Sequence, residues 1–482
     1  MIAQLNNRRN LLFWAVGLIF VALNAILISQ EFFYLPLLPV VLLVLYLFFF
    51  HLDVFLLIVV ALAPASILLE DDRMSIGMAL PTEPLLFGVM LLFFLKVAVQ
   101  GYKKEYLRHP MTVVILLYLG WLLVTSFTSE MPLVSIKFLI SKLWFIIPFY
   151  FLGLYLFKDI KNIKRFHWLY IITLMGVIIY TLFRHVQWEL NDNAAFWVME
   201  PFFKDHTSYG AIIAMFFPIV IGGLFSKQMK PELKIFVWGI ALVFTAGLVF
   251  SYTRAAWVSV FAALMLLFAI LLKMKFRTVL LLLLVGGAVL FQYSNTLFMD
   301  MEKNRQDSST DLAEHVQSIS NISSDASNLE RLNRWACAFR MFDERPVFGW
   351  GPGTYQYVYG PFQVASEKTI ISTNAGDMGN AHSEYIGPLS ESGLPGMLIV
   401  IAMFGTALFI GLRAVKYAAS HEIRLLTLVT LLGFFTYITH GIMNNYLDLD
   451  KASIPFWGFI AMFTAIDIHH SVRNREQKER DT

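Results

Sequence analysis

The sequence predicts an all-α polytopic integral membrane protein with about 14 (12–14) transmembrane helices and one large polar loop that contains amphipathic helices. Hydrophobic residues make up 58% of the 482 residues and charged residues only 15%, whereas soluble globular chains carry roughly 25% charged residues. Apolar stretches long enough to cross about 30 Å of hydrocarbon recur along the whole chain. The net charge of +3 gives no argument for nucleic acid as a partner, and the single cysteine, Cys337, excludes an internal disulfide framework.

The predicted spans divide the chain into four parts. Residues 1–294 hold about 11 transmembrane helices, residues 295–393 form the large loop, residues 394–468 hold about three more helices, and residues 469–482 form a basic tail. The spans lie near residues 11–29, 33–50, 52–69, 83–99, 111–128, 136–157, 167–183, 208–225, 234–250, 256–272, 278–294, 394–412, 424–440 and 454–468.

Basic residues in alternate loops orient the chain. With the N-terminus inside, the loops around Lys103, Lys161, Lys230 and Lys275 and the tail around Arg475 all fall on the cytoplasmic side, as the positive-inside rule requires. Both termini are therefore expected in the cytoplasm and the large loop outside.

Arg254 stands in a tight outward turn that begins at Ser251, between two apolar spans. A guanidinium at the membrane boundary is costly unless it snorkels to water or meets an anion. The turn therefore indicates either an interfacial arginine or an anion ligand, and Ser251 could donate a further hydrogen bond to the same anion.

Two outward segments carry amphipathic patterns. In the large loop, apolar residues recur at helical spacing until Pro346 stops the pattern; they are Leu329, Leu332, Trp335, Ala336, Phe339 and Phe342. Arg331 and Arg334 lie on this predicted helix, which is either an anion-binding face or an ordinary solvated one. The aromatic residues of the segment 184–205 suit an interfacial helix lying on the membrane.

A glycine-rich turn follows the amphipathic helix. Gly351 and Gly353 alternate with larger residues, and glycine permits positive φ and close approach of the backbone. The turn could bring amides to a phosphate or a sugar, or it could be an ordinary Gly-Pro turn.

His382 begins the segment that leads from the large loop into an apolar span. A neutral imidazole can accept a proton from a hydroxyl near neutral pH, and Glu384 or Glu391 could orient the ring or balance its charge. The alternative is a histidine that anchors a helix end at the interface.

Metal chemistry has little support in the sequence. The acidic run from Glu70 to Asp72 could bind a divalent cation, but one acidic cluster beside Arg73 is more typical of a solvated loop. We predict no metal site.

The ordered motifs resemble a known family. An arginine in a tight turn (Ser251 to Trp257) precedes a long loop with Arg-x-x-x-Trp and then Arg-Pro-Val-Phe-Gly-Trp-Gly-Pro-Gly-Thr-Tyr, and His-Ser-Glu-Tyr-Ile-Gly-Pro-Leu-Ser-Glu-Ser-Gly-Leu-Pro-Gly follows from His382. This set resembles the O-antigen ligase superfamily, which also includes O-antigen polymerases and bacterial O-oligosaccharyltransferases. The resemblance covers about residues 205–445.

The resemblance implies a metal-independent, inverting glycosyltransferase of lipopolysaccharide biosynthesis that needs no cofactor. Its donor would be a glycan on undecaprenyl pyrophosphate, presented at the periplasmic face of the bacterial inner membrane. The family's essential arginines correspond to Arg254 and, by Arg-x-x-x-Trp, to Arg331, with Arg334 as the rival. Its essential histidine corresponds to His382. Arg254, Arg331, Arg334 and Ser251 would bind the donor pyrophosphate. Possible supporting residues are Glu384, Glu391, Gly351 and Gly353.

The motifs do not encode the acceptor. Lipid A–core is favoured, which makes the protein a ligase, while a growing polysaccharide would make it a polymerase and a protein hydroxyl an O-oligosaccharyltransferase. A flippase or transporter of lipid-linked glycan is a remote alternative, because it would place ionisable residues inside several spans, whereas here they lie mostly at span ends.

Overall fold

The computed structural model describes residues 2–31, 34–71, 76–275, 277–278, 281, 326–369, 372 and 379–471. The chain separates into two compact units, residues 1–58 and residues 59–482. Both units are built almost wholly of helices.

The first unit and the start of the second consist of apolar helices separated by short breaks. Helix α1 covers Ile2–Ser29, α2 covers Leu38–Phe50, and α3 begins at Leu52 and ends at Leu62. His51 leaves helical geometry at φ −137°, and this single residue separates α2 from α3. The predicted spans near 11–29, 33–50 and 52–69 correspond to these helices, whose apolar parts run over Trp14–Ser29, Leu35–Phe50 and Leu52–Ala65.

A β-hairpin follows α3 where the sequence suggested the end of a span. Strand β1 (Ile67–Asp71) pairs antiparallel with β2 (Ile76–Leu80), with Ile67 opposite Leu80. The apolar run therefore leaves the helix early, because Pro64 and a short 3-10 turn end α3 before the strand begins.

The second unit contains the other described helices, some long and some of a single turn. In chain order they are α4 (Thr82–Gln100), α5 (Lys104–Leu107), α6 (Pro110–Phe127), α7 (Pro132–Ile146), α8 (Gly153–Leu156), α9 (Ile160–Val186), α10 (His206–Leu224), α11 (Pro231–Val249), α12 (Arg254–Leu271), α13 (Ala326–Glu344), α14 (Tyr355–Val358), α15 (Ile386–Lys416), α16 (His421–His440) and α17 (Asp450–His469). A π-helical stretch, Ile147–Leu152, joins α7 to α8.

The all-α polytopic membrane fold is confirmed. Within the described ranges, ten helices are long and apolar enough to cross a membrane. They are Thr82–Gln100, Pro110–Phe127, Pro132–Leu156, Ile160–Val186, His206–Leu224, Pro231–Val249, Arg254–Leu271, Ile386–Lys416, His421–His440 and Asp450–His469, and each coincides with a predicted span. The predicted span near 278–294 lies outside the described residues except for 278 and 281, so the total of about fourteen stays a prediction.

Helix α17 is the centre of the bundle, since it is buried along nearly its whole length. Helices α15 and α16 pack against it, and α10 packs against α16, α11 and α12. Tyr170 of α9 stacks on Phe216 of α10 with ring centroids 4.2 Å apart. This close packing fixes the ends of α10, α12 and α16 relative to one another.

Helix α13 confirms the amphipathic helix predicted in the large loop, but its buried face differs from the predicted apolar stripe. Cys337, Ala338 and Met341 form the packed face, together with Tyr355, Tyr359 and Ala381 of the chain that follows, while Phe339 is 48% exposed. The predicted stripe is therefore wrong by part of a turn, because buried polar residues share the packed face.

The segment 187–205 is not the interfacial helix that its aromatic residues suggested. It consists of turns with one 3-10 turn, Ala194–Phe196. Positive φ angles at Glu189 and Leu190, both 55°, are incompatible with a continuing right-handed helix.

Helix α15 begins at Ile386, ahead of the predicted span 394–412, and it is interrupted at Gly393. This residue has φ 69°, and a Cβ there would lie 2.1 Å from the Val347 carbonyl oxygen, so only glycine fits. The amide of Leu394 donates to the Pro346 carbonyl at 2.9 Å. The break thus binds the end of α13 to α15.

Candidate active site

The loop of residues 441–449, between α16 and α17, organises the site, and Glu384 holds it. The Glu384 carboxylate accepts hydrogen bonds from the amides of Tyr446 (2.8 Å) and Leu447 (3.0 Å) and from the Tyr437 hydroxyl (2.7 Å). Its own amide donates to the Gly441 carbonyl at 2.8 Å. Burial raises the pKa of the Glu384 carboxyl, and the Lys142 ammonium opposes that rise. Glu384 therefore fastens the His382 segment to the 441–449 loop.

His382 lies at the turn just before this attachment. Its φ is 48°, a left-handed conformation that its amide stabilises by donating to Asn380 Oδ1 at 3.0 Å. Burial and the positive charges of Arg331 and Arg334 lower its pKa to about 4, against the opposing charges of Glu330 and Asp205. The imidazole is therefore neutral at neutral pH and able to accept a proton.

Arg331 and Arg334 are both near His382 but occupy different environments. Arg334 is 4% exposed, its Nε donates to Glu330 at 2.6 Å, and its guanidinium lies 4.1 Å from the centroid of the Tyr359 ring. Arg331 is only half-buried, and its Nε donates to the Met443 carbonyl of the 441–449 loop at 3.2 Å.

Glu330 is the acidic partner that fixes Arg334. Burial disfavours its charge, but hydrogen bonds from Ser372, Arg334 and Thr369 outweigh burial and lower the pKa of its carboxyl. Without Arg334, the ionised Glu330 carboxylate would be buried without a cation. The pair therefore stabilises the fold of the large loop.

The turn before Arg254 is packed against the start of α10. The Ser251 hydroxyl is buried and donates to the Leu248 carbonyl at 2.8 Å, and the Thr253 hydroxyl donates to the His206 carbonyl at 2.8 Å. A Cβ on Gly210 would lie 2.7 Å from Thr253, so the small residue permits this approach. Arg254 follows as the first residue of α12 and is half-buried.

The start of α10 links this turn to the 441–449 loop. The Thr207 hydroxyl contacts the Tyr446 hydroxyl, and Asp205 caps α10 by accepting from the Ser208 amide at 2.7 Å. Since the Asp205 charge also reaches His382, the structure brings the predicted residues Arg254, Arg331 and His382 to the same end of the bundle.

Comparison with known families tests the resemblance that the motifs predict. Residues 238–401 match the family model described as O-antigen ligase. This stretch of the chain is similar to O-antigen ligases. The predicted resemblance to the O-antigen ligase superfamily is thereby confirmed, and the general activity is that of a glycosyl-transferring enzyme of the ligase and polymerase type. No curated protein matches the chain.

The O-antigen ligase match contains Arg254, Arg331 and His382, but it ends before the 441–449 loop. A residue that sequence reasoning missed directly precedes that loop: His440, the last residue of α16. His440 is 2% exposed, and its ring centroid lies 5.9 Å from that of Tyr446. Within the part of the chain that the structure describes, neither ring nitrogen has a hydrogen-bond partner. The sequence did contain a signal for His440, because an ionisable residue at the end of an apolar span indicates a functional site.

The glycine-rich turn, which lies within the matched region, packs against α15 and the start of α7. The Gly351 amide donates to the Glu391 carbonyl at 2.8 Å, and the Tyr355 amide donates to the Glu391 carboxylate at 3.1 Å. A Cβ on Gly351 would lie 1.9 Å from Ser129 Oγ, and one on Gly353 would lie 2.9 Å from the Phe138 ring. The turn therefore uses its glycines for close packing, and Glu391 holds it in place.

The acidic run of the hairpin is only partly described. Glu70 and Asp71 end β1, and Asp72 lies outside the described residues. Among the residues with described positions, no group of three or more His, Cys, Asp or Glu side chains could hold a metal ion.

Proposed function

We propose that this protein transfers a glycan from undecaprenyl pyrophosphate to an acceptor hydroxyl at the periplasmic face of the bacterial inner membrane, with lipid A–core as the favoured acceptor. The reaction would be metal-independent and inverting. The observation that supports it most is a neutral, half-buried imidazole, His382, whose pKa the positive charge of Arg331 helps to lower, while Arg331 itself bonds to the 441–449 loop.

His382 acts as the general base in this proposal. The acceptor oxygen attacks the anomeric carbon, its proton passes to the neutral imidazole, and the bond between the anomeric carbon and the phosphate oxygen breaks. Attack from the side opposite to the leaving group inverts the anomeric centre. General-base assistance of this kind typically contributes about 10²–10⁴-fold in rate.

Arg331 and Arg254 stabilise the leaving pyrophosphate. The electron pair of the breaking bond goes to the phosphate oxygens, so positioned guanidiniums bind the transition state more tightly than the ground state. Of the two candidates on α13, Arg331 suits this role because Arg334 is buried against Glu330 and Tyr359.

Reconstitution tests the proposal. The purified chain in lipid nanodiscs would be incubated with undecaprenyl-pyrophosphate-linked glycan and, separately, with lipid A–core, with a second lipid-linked glycan or with a hydroxyl-bearing protein. We expect a product with lipid A–core. A product only with the second lipid-linked glycan would make the enzyme a polymerase, and one only with protein an O-oligosaccharyltransferase. Failure with all three acceptors would refute the proposal.

A further inference from the structure

A concave surface lies next to the Arg254 turn, in the segment that follows α9. Its volume is about 450 Å³, within the range of roughly 300–1,000 Å³ for small-molecule clefts. We call it the tryptophan cleft; the side chains that line it are Gln187, Trp188, Glu189, Asn191, Asn193 and Trp197.

The two indoles of the tryptophan cleft stand at right angles. The ring centroids of Trp188 and Trp197 are 5.2 Å apart with an interplanar angle of 84°. Trp188 is 54% exposed, and the Arg184 guanidinium lies 5.5 Å from the centroid of the Trp197 ring. One indole face is thus presented to a ligand, and the other ring is held in orientation.

The remaining lining is polar and planar. Asn191, Asn193 and Gln187 offer amide donors and acceptors, and Glu189 offers a carboxylate. The combination suits a ligand with an apolar face and a rim of hydroxyl groups.

The backbone of the cleft is strained and fixed. Glu189 and Leu190 both have φ 55°, and such strain in residues other than glycine persists where the surroundings impose it. The Leu190 carbonyl accepts from the Tyr252 hydroxyl at 2.9 Å, and the Asn191 carbonyl accepts from His185 Nε2 at 2.7 Å. Tyr252 is two residues from Arg254, so the cleft is tied to the turn that carries this arginine.

We infer that the tryptophan cleft binds a neutral or N-acetylated sugar unit of the substrate glycan, an inference that rests on the proposed function for the identity of the glycan. The C–H face of a pyranose ring packs on the Trp188 indole, while its hydroxyl or acetamido groups bond to the amides and to Glu189. The Glu189 carboxylate repels acidic sugars. The cleft thereby selects the glycan away from the reacting centre, and it binds the ground state and the transition state equally.

Binding is measured first, independently of transfer. The full chain in nanodiscs is titrated calorimetrically with free glycan that mild acid releases from the lipid-linked intermediates of the native cells. We expect Trp188→Ala to weaken binding about tenfold, the size expected for one lost aromatic contact. Trp238→Ala, which removes an exposed tryptophan of α11, is the matched control and should bind as the wild type does. Asn193→Ala carries the test if Trp188→Ala lowers the melting temperature.

Transfer is measured second, with lipid-linked donors that carry one sugar or a long glycan. Trp188→Ala should raise KM for the long donor about tenfold and leave kcat and the single-sugar donor unchanged. No binding of the free glycan to the wild type, or equal binding by the wild type, Trp188→Ala and Asn193→Ala, would overturn the cleft assignment. Binding that depends on Trp188 in a chain that transfers nothing would support the cleft and refute the proposed function.

Discussion

The two sides of the 441–449 loop use charged residues in different ways. On the side facing α7 and the hairpin, Lys142 donates to the Leu447 carbonyl at 2.8 Å and to Asp448 at 2.6 Å. Lys451 donates to the Ser66 carbonyl at 3.0 Å, and Asp450 accepts from the Thr82 hydroxyl at 2.5 Å. The buried charges of Lys142, Asp450 and Lys451 have partners within the protein and hold the loop in position.

On the other side, a guanidinium and two imidazoles lie near the loop, and these are the kinds of group that the proposed reaction uses. Arg331 reaches the loop through the neutral Met443 carbonyl. His440 is buried just before the loop, and His382 is half-buried two residues before Glu384. Groups that are paired inside the protein should govern stability, while groups on this side should govern donor binding and turnover. Variants on the two sides should therefore separate loss of stability from loss of donor binding or turnover.

The largest effect is expected from His382→Ala. Loss of the proposed base should lower single-turnover transfer about 10²–10⁴-fold, while donor binding should be retained because the imidazole acts only during attack. The measurement is donor binding and single-turnover transfer on the same purified variant. Normal turnover, or a defect that lies wholly in donor affinity, would exclude His382 as the base, and Glu384 would be an unsuitable replacement because it already holds the 441–449 loop.

Arg254→Lys should produce the next largest loss. Lysine keeps the charge but lacks the planar fork that engages two phosphate oxygens, and loss of one transition-state donor typically costs about 10²–10³-fold in kcat. Transfer is assayed beside membrane insertion, which should be normal. Near-normal transfer by Arg254→Ala would show that this arginine only anchors the start of α12.

Arg331→Gln and Arg334→Gln compare the two kinds of charge within one helix. Arg334→Gln leaves Glu330 buried without its cation, and breaking such a pair costs about 3–5 kcal/mol, so its melting temperature should fall. Arg331→Gln should melt close to the wild type but bind the donor more weakly. Arg340→Gln, on the same helix and paired with Glu367 at 2.5 Å, is the control. Equal loss of stability in Arg331→Gln and Arg334→Gln would contradict the assignment of a structural role to Arg334 and a donor-binding role to Arg331.

The difference between these arginines also shows how far the sequence could be read. Local periodicity correctly predicts α13 and the long spans. The order of the motifs is read directly from the sequence. Periodicity does not predict that the Glu384 carboxylate accepts from the Tyr446 amide, because this contact joins residues distant in sequence and depends on how α15, α16 and α17 pack. The buried face of α13 was misread for the same reason, since the Glu330–Arg334 pair makes a polar face suitable for burial.

A smaller effect is expected in the pH dependence of transfer. His382 must be neutral to accept a proton, and its pKa is about 4 in the unliganded protein. Donor kcat/KM should therefore be flat at neutral pH and fall as the pH drops through about 4. Arg331→Gln removes a cation that lowers this pKa, so its acidic limb should move to higher pH, while Arg340→Gln should leave the limb in place. An unchanged limb in Arg331→Gln would contradict the electrostatic coupling of Arg331 with His382.

The smallest effect is expected from removing divalent cations. In the proposed reaction, the guanidiniums of Arg254 and Arg331 supply the positive charge that meets the departing pyrophosphate, so no cation is required to neutralise it. Transfer by the reconstituted protein should be the same with and without a chelator, and Asp71→Asn combined with Asp72→Asn should be mild. The decisive measurement is the initial rate in chelator, before and after addition of Mg²⁺ or Mn²⁺. Complete loss that either ion restores would move the leaving-group role from the arginines to a cation and make the acidic run from Glu70 to Asp72 the first place to look for its ligands.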